Sequence, residues 1–372
     1  MPLSNAVSFV HRATLHSYLF PAPLFFPLAT SSGQISDLGS LHNTIQCDIS
    51  RNPNTNPPLD PSSPQQNSPV LQNPLRPASL LRKAYFAGCE VLRTEADFYE
   101  LAMAYLSRCA EMNVRYTEPF FDIQAHTRRG VSANAVLDGY LRAQRDAVTM
   151  YGVRSQWILC FLRDESVEEG LAAYREARPW AGGSVEGWKG LFHAVGLASN
   201  AYERPPMLFE VGFQLARNDA LHVTMHCDFG QKDTLEHVRQ AVFEVCGGLG
   251  AERIDHGLDA WREEGLWRGL VERGIGLTLC PHAYHRRTET EVLFPMIRGL
   301  LEAGVKLCVN SDDPTLMHDV WIDGNLQKVY SYCGFGKREM VQLVRNAVDM
   351  SWAGDDVKKA LYLELDGVDV LE

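Results

Sequence analysis

The sequence predicts an α/β fold, a (β/α)8 barrel whose first strand is degraded or missing. Three observations predict it. Apolar strand-like runs and helical stretches alternate strictly from Val114 onward, the pattern of parallel strands joined by helical crossovers. Three of the runs end in polar residues, at His226, at His256 and at the pair Asp312–Asp313. Seven strands can be counted where a closed barrel needs eight, so the remaining one must lie upstream.

Taken in order, the chain opens on residues 1–77, whose composition differs from the rest. Runs such as Asn52-Pro53-Asn54-Thr55-Asn56-Pro57-Pro58 are rich in Pro, Ser and Asn. Such a segment buries too little apolar surface to offset its ordering entropy. It reads as a low-complexity, disordered stretch before a barrel domain at 78–372. Thr94 with Asp97 three residues on reads as a capping-box start of a helix running to about Met112. The strand 114–121 follows, then a helix from Ser132 to near Tyr151. Next come strand 157–162, helix 166–177, strand 190–197, helix 205–219 and strand 222–227. Helix 233–246, strand 253–255, helix 262–273 and strand 275–280 continue the pattern. Helix 291–303 leads to strand 305–309, and helices near 337–350 and 355–364 close the chain.

Composition narrows the function classes. The formal net charge of −11 argues against a polyanionic nucleic-acid partner. No apolar run approaches the roughly 20 residues a transmembrane helix needs, so no membrane association is expected. The apolar stretch 19–30 is interrupted by Pro21, Pro23 and Pro27, which does not suit a secretory signal. Nine cysteines without CxxC pairs read as reduced thiols in the cytoplasm. There is no dinucleotide fingerprint and no internal repeat.

The chemistry is carried by the strand ends. Val305–Val309 is a short buried strand, and Asn310-Ser311-Asp312-Asp313-Pro314 closes it. Adjacent carboxylates repel, so they make sense only where something cationic or hydrogen-bonding lies above them. Read without context, the stretch is a polar turn that caps the next helix. A lone histidine, likewise, is more often an ordinary packed one. Strands of a parallel barrel, however, bring their C-terminal ends to one mouth, where active sites are built. There His226 and His256 join the two acids. His193, His222 and His237 read as structural, His282 and His285 as exposed loop histidines, and Glu263-Glu264 and Arg286-Arg287 as solvated helix-end charges.

These residues, in this order, resemble the adenosine and adenine deaminases of the metal-dependent amidohydrolase superfamily. The motifs are Arg253-Ile254-Asp255-His256-Gly257, Asn310-Ser311-Asp312-Asp313-Pro314 and His226 at the preceding strand end. The stretch Glu118–Val131, with Glu118-Pro119-Phe120-Phe121-Asp122, resembles the adenine deaminase side. The resemblance runs from about Thr94 almost to the C-terminus. It implies a Zn2+-dependent hydrolysis that replaces the exocyclic amine of a small-molecule purine with oxygen. It implies His226 and Asp312 as metal ligands, His256 and Asp312 as catalytic groups that hold the attacking water, and Asp313 as the acid that binds a purine ring nitrogen.

The sequence departs from the family in three places. The family's catalytic Glu falls at Phe229, which carries no proton, and Asp228 stands one residue early, where it should point the other way. His282-Ala283-Tyr284-His285 replaces the usual Ser-Asn. The His-x-His of the first strand is not found: the nearest stretch has His16 with Tyr18 in the second place, and His11 and His16 do not share a strand face. With two of the family's ligands in place, weak zinc binding and slow or absent deamination are expected. An N6-substituted adenine as substrate, and a non-catalytic barrel acting as a binding protein, are the alternative readings.

Overall fold

The computed structural model describes residues 10–11, 84–182, 187 and 189–368. The chain divides into Met1–Phe20 with Leu75–Glu372 and, apart from these, Pro21–Pro74. The second unit lies outside the described residues, as do His16 and Tyr18. So does the expectation of a disordered segment over 1–77, except at Val10–His11.

Those two residues form β1, paired in parallel with β2, Tyr116–Thr117. Glu118 and Pro119 interrupt the chain before β3, Phe120–Phe121. Gln156 likewise separates β4, Arg154–Ser155, from β5, Trp157–Leu162. Then follow β6 (Phe192–Ala198), β7 (His222–Cys227), β8 (Arg253–His256), β9 (Gly276–Leu279) and β10 (Leu307–Val309). Every pairing is parallel; β2 pairs with β4 and β3 with β5, and from β5 to β10 each strand pairs with the next in the chain. If each interrupted strand counts once, eight strand positions stand in chain order among the described residues, the arrangement of a (β/α)8 barrel. The upstream strand is two residues long and is not paired with β10 among the described residues.

Local chemistry explains the helices. Thr94 Oγ1 accepts the Asp97 N–H, and Asp97 Oδ2 accepts the Thr94 N–H at 2.7 Å, so both ends of the capping box are satisfied at the start of helix Glu95–Glu111. The helix Ala133–Tyr151 crosses it closely at Gly139, where a Cβ would stand 2.6 Å from the Glu95 carbonyl oxygen. That helix stops at Gly152 (φ 68°), whose missing side chain permits the left-handed turn. Besides the four-residue turn of helix Gln124–Thr127, two helices were not predicted, Pro281–His285 and Ile322–Cys333. The first is a single turn, and the second carries too mixed a pattern to read as helical.

Period-two alternation divides each strand between two surroundings. Val223, Met225 and Cys227 of β7, Ile254 of β8, Leu277 and Leu279 of β9, and Leu307 and Val309 of β10 belong to the main core, with the helices. The alternate residues of β7–β10 are polar or small: Thr224, His226, Arg253, Asp255, Thr278 and Cys308. On β5 and β6 the alternate residues Ile158, Cys160 and Ala194 form a separate small cluster, with Phe120, Ala198 and Trp352 packed against it. The strand pattern thus sends one set of side chains to the helices and hands the other to the barrel interior.

Candidate active site

His226 and Asp255 stand opposite each other in the β7–β8 register, and Asp255 stands opposite Thr278 in the β8–β9 register. The Asp255 carboxylate accepts hydrogen bonds from Thr224 Oγ1 (2.9 Å) and Thr278 Oγ1 (2.8 Å), so it pins three strands together just below the mouth. Simple alternation would turn His256 toward the helices. Its φ of 65° breaks the alternation, and its ring comes to lie 4.7 Å from that of His226, at right angles. Asp312 is also left-handed, at φ 60°, and its Oδ2 stands 4.0 Å from His256 Nε2. Non-glycine residues in this region are uncommon, though His and Asp tolerate it better than most. Gly257, next to His256, continues the turn at φ 66°, and a Cβ there would meet Ile254 Cγ2 at 2.9 Å.

The structure therefore brings His226, His256 and Asp312 together at one strand mouth. Asp313 is half-buried beside Asp312 and near enough for its charge to bear on His256. Burial, then the neighbouring His256, pushes His226 down to about 3, so this imidazole is neutral at neutral pH. Burial followed by the charge of Asp228 pushes Asp312 up to about 6, with Arg287 and Arg286 working against them.

Asp228 does not turn away as expected. It lies two residues beyond His226, and residues two apart share a strand face. Phe229 is the residue that leaves, buried in the main core. Asp228 Oδ1 accepts the Phe229 N–H at 2.7 Å and Arg287 Nη2 at 2.6 Å, and Oδ2 accepts Gln231 Nε2. Burial alone would raise Asp228, but Arg287, His226 and His256 bring it down to about 2. Arg287 is thus an ion-pair partner at the mouth, not a solvated helix-end charge. His282 and His285 lie on the short helix, half-buried, with Nε2 against the Met317 carbonyl oxygen (3.0 Å) and Thr290 Oγ1 (2.8 Å).

Sequence reasoning missed Tyr284 and Arg163. Tyr284 OH is 2.8 Å from His256 Nδ1. Arg163, fully buried after β5, donates through Nη1 to the His226 carbonyl oxygen at 2.7 Å. An apolar-run search stops at Leu162 and passes over the arginine that follows.

The donor set suits a metal ion. Ligand atoms of His226, Asp228 and His256 lie within 4.8 Å of one another, as do those of His256, Cys280 and Asp312. His226 Nδ1 is buried with no hydrogen-bond partner. Neutral imidazole with carboxylate is a set that zinc accepts, so the residues fit such an ion.

Comparison with known proteins follows the same direction. A family model described as adenosine deaminase matches residues 39–368, reaching further upstream than the motifs after Thr94. An adenine deaminase of Bordetella parapertussis is 37% identical over 271 residues, covering 73% of this chain and 81% of that protein. The crystal structure of adenine deaminase from Arthrobacter aurescens is 29% identical with a TM-score of 0.70, covering 78% of this chain and 84% of that one. An amidohydrolase from Burkholderia ambifaria, with bound zinc, is 25% identical with a TM-score of 0.69, covering 77% and 78%. Matched over most of its length by the family model and by relatives of this identity, the chain belongs to the adenosine deaminase family as a deaminase-like hydrolase.

Proposed function

We propose that this protein is a zinc-dependent aminopurine deaminase of adenine or adenosine type. A water oxygen adds to the ring carbon that carries the exocyclic amine. The carbon–nitrogen bond then breaks; one proton of the water goes to the amine, which leaves as ammonia, and the other to the adjacent ring nitrogen as the carbon–oxygen double bond forms. The observation that carries this reading is the meeting of His226, His256 and Asp312 at one strand mouth. His226 and Asp312 would hold the zinc, which when bound lowers the pKa of water toward 7. His256 Nε2 and Asp312 Oδ2, 4.0 Å apart, leave a gap that a water bridges with one hydrogen bond to each. Asp313 binds a purine ring nitrogen. The described cysteines are buried thiols outside any disulfide, which supports a cytoplasmic setting. We assign the activity to the barrel domain at 78–372.

Zinc content by elemental analysis, together with ammonia release from adenine, adenosine and N6-substituted adenines, tests the reading. Turnover is expected to be slow, because position 229 holds Phe and moves no proton. Zinc-loaded protein that releases no ammonia from any of these purines sinks the proposal.

Asp313→Ala separates binding from folding. A half-buried acid at a strand mouth adds little packing, whereas a lost hydrogen bond to a charged group costs about 1.5–3 kcal/mol. Purine affinity is expected to fall about 10- to 150-fold with the denaturation midpoint unmoved. Calorimetric titration with adenine and a urea melt give both numbers. Unchanged affinity, or an unfolded variant, removes Asp313 from the site.

A further inference from the structure

We infer that Tyr284 fixes the tautomer of His256, leaving Nδ1 bare and placing the ring proton on Nε2, which faces Asp312. Tyr284 is fully buried on the short helix Pro281–His285 that follows β9. Its hydroxyl oxygen stands 2.9 Å from the backbone nitrogen of Cys280. A backbone N–H can only donate, so this bond uses the phenol as an acceptor. The hydroxyl has a single proton of its own, and His256 Nδ1, at 2.8 Å, is the other group it meets.

Two arrangements are possible at that contact. If Nδ1 carried the proton, two N–H groups would point at one phenol oxygen, and the buried hydroxyl proton would have no acceptor between these partners. Buried donors are seldom left so. If the phenol donates instead, every proton in the chain Cys280 N–H, Tyr284 O–H, His256 Nδ1 is used once. Burial also raises the Tyr284 pKa well above the usual phenol range, so the hydroxyl keeps its proton. The ring of Phe229, 5.2 Å from that of Tyr284, stands beside the pair. The residue found in place of the family's acid therefore borders Tyr284, the group that sets the histidine.

The consequence for catalysis rests on the function proposed above. With its proton on Nε2, resting His256 offers the water a donor and leaves Asp312 as the acceptor, so the two sides of the 4.0 Å gap have opposite and fixed roles. Tyr284 is a positioning residue: it reaches the water only through His256.

The test is long-range proton–nitrogen NMR on the full chain labelled with 15N-histidine, as purified, with the His256 signals identified by their loss in His256→Asn. Wild-type protein is expected to show His256 in the Nε2–H form alone. In Tyr284→Phe the ring is expected to become a mixture of both tautomers, while the other histidine signals stay in place. The deamination rate of the variant is expected to drop about 10- to 100-fold, as when a histidine's orienting partner is lost, with KM little changed. A wild-type His256 protonated on Nδ1 overturns the inference, as does a Tyr284→Phe protein whose tautomer is unaltered. The wild-type spectrum decides even if the variant fails to fold. It is also independent of turnover: an inactive protein with the Nε2–H form upholds the tautomer while counting against the deaminase reading.

Discussion

Arg253→Met is expected to destabilise the fold by about 3–5 kcal/mol, the usual cost of removing one partner from a buried ion pair. Glu118 is fully buried where β2 gives way to β3. It accepts Arg253 Nη1 at 2.6 Å, Tyr116 OH at 2.9 Å and the Trp352 backbone N–H at 2.6 Å. Arg253 also donates to the Met350 carbonyl oxygen at 2.8 Å, and its guanidinium lies 3.6 Å from the centre of the Trp352 ring. Methionine fills much of the volume but leaves the Glu118 charge without its cation. The double variant Glu118→Gln with Arg253→Met removes that charge and should recover most of the loss. Urea midpoints for the two variants settle it. A loss under about 1 kcal/mol in the single variant would show that the other bonds to Glu118 suffice.

Asp312→Asn is expected to do the reverse, sparing the fold and removing the chemistry. Asp312 sits among buried like charges, and burial with Asp228 already pushes it up to about 6. A carboxylate so placed is not there for stability. Asparagine keeps the shape, can turn an oxygen toward His256, and carries no charge to offer a cation. Deamination by zinc-loaded protein should fall about 10²- to 10⁴-fold, the range for losing a group that manages protons at the reacting centre. Zinc content should fall with it, while the unfolding free energy from a urea melt changes by less than about 1 kcal/mol. A variant that keeps its zinc and its rate would remove Asp312 from the proposed mechanism.

The strands were legible because they are apolar, regularly spaced and bounded by turns. Each of the seven counted from Val114 is present within a few residues, apart from the interruptions at Glu118-Pro119 and Gln156. His226, His256 and Asp312 were legible because strand ends in a parallel barrel share one mouth. What stayed hidden depends on side chains meeting across sequence distance. Nothing local to Arg287 says that it reaches Asp228, 59 residues away, and nothing local to Tyr284 says that it touches His256. The family's glutamate position gives the wrong direction for Asp228. Counting from His226 would have placed it on the correct face. Val10–His11 stands outside the strand–helix alternation that begins at Val114, and a two-residue pairing is too short to leave a periodic signal.

His256 and Asp312 hold backbone angles that glycine would adopt more easily, with φ of 65° and 60° and a cost on the order of 1 kcal/mol each for a residue with a Cβ. On the function proposed above, thermostability and reactivity therefore ask for different amino acids at the same two places. A descendant released from the reaction would gain robustness by drifting to glycine at either one. On that proposed function, histidine and aspartate stand here for the reaction, at a backbone cost that glycine would relieve.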